Sequence, residues 1–405
     1  MFSLDRFYNI LHNNLISQFT NGRSVYNFPF GTYDTQNVLE TKVDTVVGNF
    51  PKTNISKIWF HCYFFDQEPL YDYTLPIIEQ SQIVNEDYWG PRRINILANS
   101  EHSNLKNEFT RYNQYYDWYY FFHGFAALDW YRDFQYLTSS SFDRFDKVFI
   151  CYNHLISKYR SYRLHLVSNL IQQDLIQHGH VSLFLSDTLG TWQQTLEDES
   201  CPLDPRAKKE VYQTLRHIQE PLIIDTRTPT GSLSAAVNHD QLTSALFHVV
   251  TETVYFQPKL HLTEKVFKPI VAQRPFFLAA APGNLAYLKS YGFRTFDQWI
   301  DESYDLETDH YVRIEKITAE LARLCGMSKA QLDCMHQEMK PVLEYNFYHF
   351  YNTFRDRIVD ELVDNFDHVL DQINNGRQPG NHSRYHQRFE LDRTYLAEVK
   401  KRLKQ

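Results

Sequence analysis

The sequence predicts an α/β protein made of two Rossmann-like units. Three observations carry this. Short apolar runs recur along the chain, and polar or turn residues follow each at once, as with buried parallel strands. Helical patterns lie between several of them. A small polar stretch, Thr138 to Ser141, divides the runs into two series and reads as a linker. The expected division is 1–143, 144–340 and a C-terminal segment 341–405.

In the first series, Lys57–Phe65 is a strand that stops at Asp66-Gln67-Glu68-Pro69. Arg93–Ala98 is a second, ending near Asn99-Ser100-Glu101-His102, and Trp118–Phe122 a third, ending at His123-Gly124. The second series opens with Lys147–Tyr152, then a helix over Ser157–Gln173 with Tyr159, Leu164, Val167 and Leu170 near one face. His180–Ser186 is the next strand, and Pro221–Asp225 is either another or a loop. Residues 187–240 are polar with Pro and Gly and read as an insertion. Val312–Leu324 is an amphipathic helix. Val342–Ile373 is a long one, with Phe347, Phe350, Phe354, Ile358, Leu362, Phe366 and Leu370 at spacings of three and four, and Asn374-Asn375-Gly376 stops it.

Residues 245–283 are the most informative. Phe247–Val250 reads as a buried strand with Glu252 where it ends. Thr263 can cap a helix whose first turn holds Glu264 and Lys265. Phe276–Ala281 is a second strand, ended by Pro282-Gly283. This is a β-α-β unit with a carboxylate and an ammonium where open α/β sheets bind ligands. A Glu there can grip ribose hydroxyls, and a Lys beside helix N–H groups can hold a diphosphate. Glu is favoured in a first turn by the helix dipole alone, whereas Lys is not, so Lys265 points to an anion or a Glu partner. Arg160 and Arg163, one turn apart early in the helix after Lys147–Tyr152, either grip a diphosphate or form a solvated face.

The same segment resembles the donor-binding stretch of fucosyltransferase-like glycosyltransferases of the GT-B architecture. Glu252 matches the Glu of their Phe-Glu element, and Thr263-Glu264-Lys265 matches their Thr-Glu-Lys triplet. It is also similar to a group of glycosyltransferases from bacteriophage genomes, a match continued by Pro275-Phe276, Gly283, Leu288-Lys289 and Gly292 to Phe296. Thr253 departs from the fucosyltransferases, which have Asn there, so sugar and base identity do not carry over. The resemblance implies two Rossmann-like domains facing across a cleft, with a long C-terminal helix crossing back to the first. It implies a nucleotide-sugar donor held by Glu252, Thr263, Glu264 and Lys265, with a phosphate-binding Arg early in the second domain. It also implies inverting transfer to an acceptor hydroxyl, with a base at a strand end of the first domain. Asp66 and Glu68 stand at such an end, as does His123, with Asp129 a weaker candidate. Asp66 to Pro69 also suits a plain turn. The phage-like match makes a hydroxymethylated pyrimidine in viral DNA one candidate acceptor. A cell-surface glycan or lipid-linked precursor is another, and a non-enzymatic binding or structural protein on a transferase scaffold is the rival class.

Composition narrows the field. A chain of 405 residues, 43% hydrophobic and 16% aromatic, has the length for two or three domains and is not disordered. Its 28 Tyr and 30 Phe suit stacking on sugars or bases, or simply a core. A formal charge of −8 argues against a generic nucleic-acid coat and leaves room for a local basic groove. The tail 377–405, with eight Lys/Arg against three Asp/Glu, is a solvated helix or a phosphate-contacting arm. Five dispersed cysteines without C-x-x-C spacing fit a reduced, cytoplasmic protein without a zinc site. No signal peptide and no 18-residue apolar run are visible, so no membrane span is expected. There is no Asp-x-Asp triplet, so a metal-independent reaction with no cofactor is expected, the donor being a substrate. The P-loop, G-x-S-x-G, H-E-x-x-H and G-x-G-x-x-G patterns are also missing, which removes the usual footing of kinase, hydrolase and dehydrogenase readings.

Overall fold

The computed structural model describes residues 24–27, 59–65, 93–100, 102, 117–136, 145–187, 189–224, 238–374 and 393–404. By packing, the chain forms two compact units, residues 1–125 with 355–405, and residues 126–354. Each holds a four-stranded parallel sheet, so the protein is α/β.

In the first unit the strands β1 (Ser24–Asn27), β2 (Trp59–Phe65), β3 (Arg93–Asn99) and β4 (Asp117–Tyr120) lie side by side in chain order, all parallel. The last three match the predicted runs; β1 was not predicted. The α-helix α1 (Gly124–Trp130) follows β4 and spans the change of unit.

In the second unit the order is β10-β9-β5-β6, all parallel. Here β5 is Lys147–Cys151, β6 Gly179–Val181, β9 Ala245–Thr251 and β10 Phe276–Ala279. Every residue of β9 and β10 is buried, which explains their largely apolar sequence. The chain leaves β5 for β6 on one side, then returns through β9 on the other. That reversal makes a topological switch point between the carboxyl ends of β5 and β9.

The intervening helices are α2 (Tyr162–Gln172), α3 (Trp192–Glu197), α4 (Pro205–Leu215) and α5 (His239–Thr243), followed by α6 (Phe267–Val271), α7 (Asn284–Ser290) and α8 (His310–Cys325). The expected helix from Ser157 is a 3-10 turn, Lys158–Arg160, and then α2, because Lys158 takes a positive φ of 54° that an α-helix does not allow. The strand expected over His180–Ser186 breaks after Val181. Leu183 instead pairs with Leu222, and Ser186–Asp187 (β7) forms a hairpin with Gly190–Thr191 (β8). The polar insertion thus contains a hairpin and two capped helices, α3 behind Thr191 and α4 behind Asp204.

The long helical segment is also divided. Helix α9 (Lys329–His349) runs into a π-helical turn, Phe350–Phe354, and then α10 (Arg355–Asn374). Phe350 and Phe354 pack on Phe267 in the second unit, at 5.2 and 5.4 Å between ring centroids. Ile358, Leu362 and Phe366 are buried in the first, where the Tyr119 hydroxyl donates to the Leu362 carbonyl (2.9 Å) and Asn365 donates to that of Tyr120 (3.1 Å). The apolar stripe is therefore one in sequence but serves two cores. This is why packing divides the segment at 354/355, where the sequence reading opened it at 341, and the first break falls at 125/126 where that reading had 143/144. In the tail, α11 (Arg393–Lys404) lies on α10 through Leu396 and Val399, with Lys400 and Lys404 paired to Asp364 and Asp360.

Candidate functional site

The carboxyl ends of β5 and β9 are stitched together. Thr251, the last residue of β9, donates its hydroxyl to the Tyr152 carbonyl just past β5 (2.8 Å). Glu252 comes next and is fully buried, at 0% exposure. Its carboxylate accepts from the Thr263 hydroxyl (2.6 Å), the Thr263 N–H (3.2 Å) and the Thr253 N–H (3.3 Å). Thr263 is the predicted cap. It sits in extended geometry, and its oxygen accepts from the Lys265 N–H, opening a 3-10 turn, Glu264–Val266, that leads into α6.

Lys265 completes the group. Its ammonium donates to Thr263 Oγ1 (3.0 Å) and Thr253 Oγ1 (3.3 Å) and lies 3.6 Å from Glu264 Oε1. Its side chain is 31% exposed, while that of Glu264 is 1% exposed. Two buried carboxylates therefore face one cation that reaches the surface. Burial pushes the Glu252 carboxyl above its usual range, and the Glu264 charge adds to this; Lys265 and the Thr263 hydrogen bonds only partly offset it.

Arg163 meets the same strand end from within. At 4% exposure it donates to the carbonyls of Leu155 (2.9 Å), Thr251 (2.9 Å) and Glu252 (3.3 Å). The Tyr162 hydroxyl also donates to the Glu252 carbonyl (2.6 Å). Burial pushes the Tyr162 phenol up to about 12, so it remains a donor at any ordinary pH. Arg160 is half-buried on the 3-10 turn before α2. On the β5 side, Asp187 from the hairpin accepts from the N–H groups of Ile156 and Ser157 (both 2.9 Å) and from the Ser157 hydroxyl (2.7 Å). Burial acts to raise its pKa, but these bonds and one from Leu189 N–H hold it below the usual carboxylate range. Two successive N–H groups plus a hydroxyl make an anion nest, filled here by the chain's own carboxylate.

The structure thus brings together Glu252, Thr263, Glu264 and Lys265, with Arg163 behind them. Asp66 and Glu68 lie outside the described residues. His123 stands beyond the carboxyl end of β4 but is buried, at 0% exposure, so an acceptor cannot reach it without local opening. His102, beyond β3, is exposed and packs edge-on against Tyr120 at 4.8 Å. Sequence reasoning did not select Thr253, Tyr162 or Asp187. Thr253 registered only as a departure from a motif, and Asp187 looked like part of a polar insertion. Among the described residues, no group of three or more His, Cys, Asp or Glu side chains is placed to hold a metal ion, and no helix is long and apolar enough to cross a membrane.

Comparison of the chain with protein-family models, curated proteins and solved structures gave no match.

Proposed function

We propose that the chain is a glycosyltransferase of GT-B type, whose second unit binds a nucleotide-sugar at the β5/β9 switch point. The observation that carries this reading is the partly exposed Lys265 ammonium at the carboxyl end of β9, held by two threonine hydroxyls and a buried glutamate. Ligands of open α/β sheets bind at such a place. An ammonium there can neutralise the charge that grows on a departing diphosphate. The resemblance of Thr263-Glu264-Lys265 to the fucosyltransferase-like triplet supports the same ligand.

In the proposed reaction the acceptor hydroxyl loses its proton to a base of the first unit. Its oxygen bonds the anomeric carbon as the carbon–oxygen bond to the diphosphate breaks. The electron pair leaves with the nucleotide, and the anomeric centre inverts. Asp66 and Glu68 remain the base candidates, and His123 would first have to be uncovered. The reaction is proposed to need no metal ion, so turnover should survive excess EDTA.

A hydroxymethylated pyrimidine in DNA is the first proposed acceptor. The pairing of Lys400 and Lys404 with aspartates of α10 favours a second reading, transfer to a glycan or lipid-linked precursor, because it withdraws two tail cations from phosphate contact. A thermal-shift panel of UDP-, GDP- and CMP-sugars tests the donor. A ligand at 100 times its Kd stabilises by about 2.7 kcal/mol. The mass of duplex DNA carrying 5-hydroxymethylpyrimidine, before and after incubation, then separates the two acceptors. A panel with no stabilising nucleotide-sugar overturns the reading.

A further inference from the structure

Glu252 is the first residue past β9 and looks, from sequence, like a ribose grip. We infer that it touches no ligand, and that Glu252 and Thr263 are instead positioning residues that hold the Lys265 ammonium for an anionic, diphosphate-type ligand. This rests on the donor reading given above.

The geometry is a relay. The Thr263 hydroxyl donates to the Glu252 carboxylate at 2.6 Å, which fixes the direction of that hydroxyl. With its hydrogen committed, Thr263 Oγ1 turns a lone pair to Lys265 Nζ at 3.0 Å. Thr253 Oγ1 takes a second ammonium hydrogen at 3.3 Å, and its own N–H is anchored on the same Glu252 carboxylate. Both threonines are nearly fully buried and Glu252 is wholly so, which leaves Lys265 as the member with surface. The backbone of Glu252 is equally committed. Its carbonyl receives Tyr162 and Arg163, and its N–H donates to the Ala279 carbonyl. A ribose-gripping carboxylate needs free acceptor positions at a surface, whereas this one accepts three internal hydrogen bonds. A lysine stem has several rotatable bonds, so fixing its head in advance lowers the entropy lost when an anion binds.

The test is calorimetry with inorganic pyrophosphate in EDTA, and separately with uridine, guanosine and cytidine, on the full chain. Thr263→Val leaves every charge in place and removes the hydroxyl, with its bonds to Glu252, to the Lys265 ammonium and to the Lys265 N–H. It should weaken pyrophosphate binding about tenfold, the scale of one charge-assisted contact. Thr263→Ser should restore it. The double variant Thr263→Val with Lys265→Ala should bind no more weakly than Lys265→Ala alone, because the hydroxyl acts only through the lysine. Glu252→Ala should likewise lose pyrophosphate affinity without changing nucleoside affinity. Glu252→Gln, which keeps an acceptor for Thr263, should recover most of that loss and carries the test if the alanine variant fails to fold. Additive losses in the double variant, or a nucleoside affinity that falls with Glu252→Gln, would overturn the inference and return Glu252 to direct contact. A wild-type chain that binds neither pyrophosphate nor any nucleotide-sugar would sink the donor reading itself, a result separable from the others.

Discussion

Two cations flank the switch point of the second unit, and they are used in opposite ways. Arg163 is turned inward, and three backbone carbonyls accept from its two terminal nitrogens. Lys265 is turned outward, its ammonium propped by side chains and still 31% exposed. The two strand ends beside them differ in the same sense. At β5, the N–H groups of Ile156 and Ser157 are already filled by Asp187. At β9, the positive end of the group reaches solvent. A planar guanidinium suits several carbonyls at once, whereas an ammonium is a compact charge that stays partly exposed while hydroxyls hold it. The β5 side therefore holds the fold, and the β9 side is where the proposed anionic ligand would meet the chain.

The largest expected effect breaks the fold-holding half. Arg163→Ala would leave the Thr251 and Leu155 carbonyls without this donor, while that of Glu252 keeps Tyr162. Each buried group left without a partner costs about 1–3 kcal/mol, so the loss should reach about 3 kcal/mol or more in urea unfolding. Nucleotide affinity of the molecules that remain folded should change little. An Arg163→Ala chain of unchanged stability but lost affinity would reverse the comparison and make Arg163 the phosphate ligand.

Next comes the other cation. Lys265→Ala should cost about 1.5–3 kcal/mol in nucleotide-sugar affinity, as removal of a charge-assisted contact does. Its effect on stability should be smaller than that of Arg163→Ala, because its head is partly solvated. Calorimetry and urea unfolding on the same pair of variants measure both sides. Equal stability losses for the two would erase the distinction.

How far this was legible in sequence depends on the kind of interaction. The strands β2 to β5, β9 and β10 could be read because their apolar runs are sharply bounded. Thr263 could be read as a cap because capping is a local bond between neighbouring residues. Glu264 and Lys265 followed from their place in that turn. Arg163 was different. Whether an arginine early in a helix faces solvent or turns inward depends on carbonyls 88 and 89 positions away, and no local pattern encodes that. Asp187 reaches back 30 and 31 positions from a two-residue strand that lies inside a polar stretch. The stripe from Phe347 to Leu370 was seen, but its division between two cores was not, since helical periodicity does not say which surface a face covers.

A weaker test concerns the filled nest. Asp187→Ala would free the N–H groups of Ile156 and Ser157 and should cost about 1–2 kcal/mol of stability, less than the loss of Arg163 because water reaches this site. If the nest is purely a fold-holding device, pyrophosphate should bind the variant no better than the wild type. A clear gain in pyrophosphate affinity would show that the β5 end can also take a ligand anion once its own carboxylate is removed.

The smallest effect is a pH dependence, and its sign follows from Glu252. The carboxyl is raised from its ordinary 4.5 chiefly by burial, with the Glu264 charge adding to this and Lys265 and Thr263 opposing it. Tyr131 faces the same pair, its hydroxyl donating to the Glu264 carbonyl, and Tyr162 and Arg163 meet the Glu252 carbonyl from α2. A carboxyl raised in the folded state holds its proton longer than in the unfolded chain. Its contribution is fully present below the unfolded value and is lost as pH rises through the folded value. Glu252→Gln removes the titration but keeps an acceptor for Thr263. The stability of the glutamine variant relative to wild type should therefore increase as pH rises from about 4.5 and level off once Glu252 is ionised. Urea unfolding of both chains from pH 4 to pH 8 measures this. A difference that stays flat across the range would mean that Lys265 and the hydroxyls compensate the buried charge in full. One that runs the other way would mean that Lys265 and the hydroxyls hold Glu252 ionised below its ordinary range, outweighing its burial.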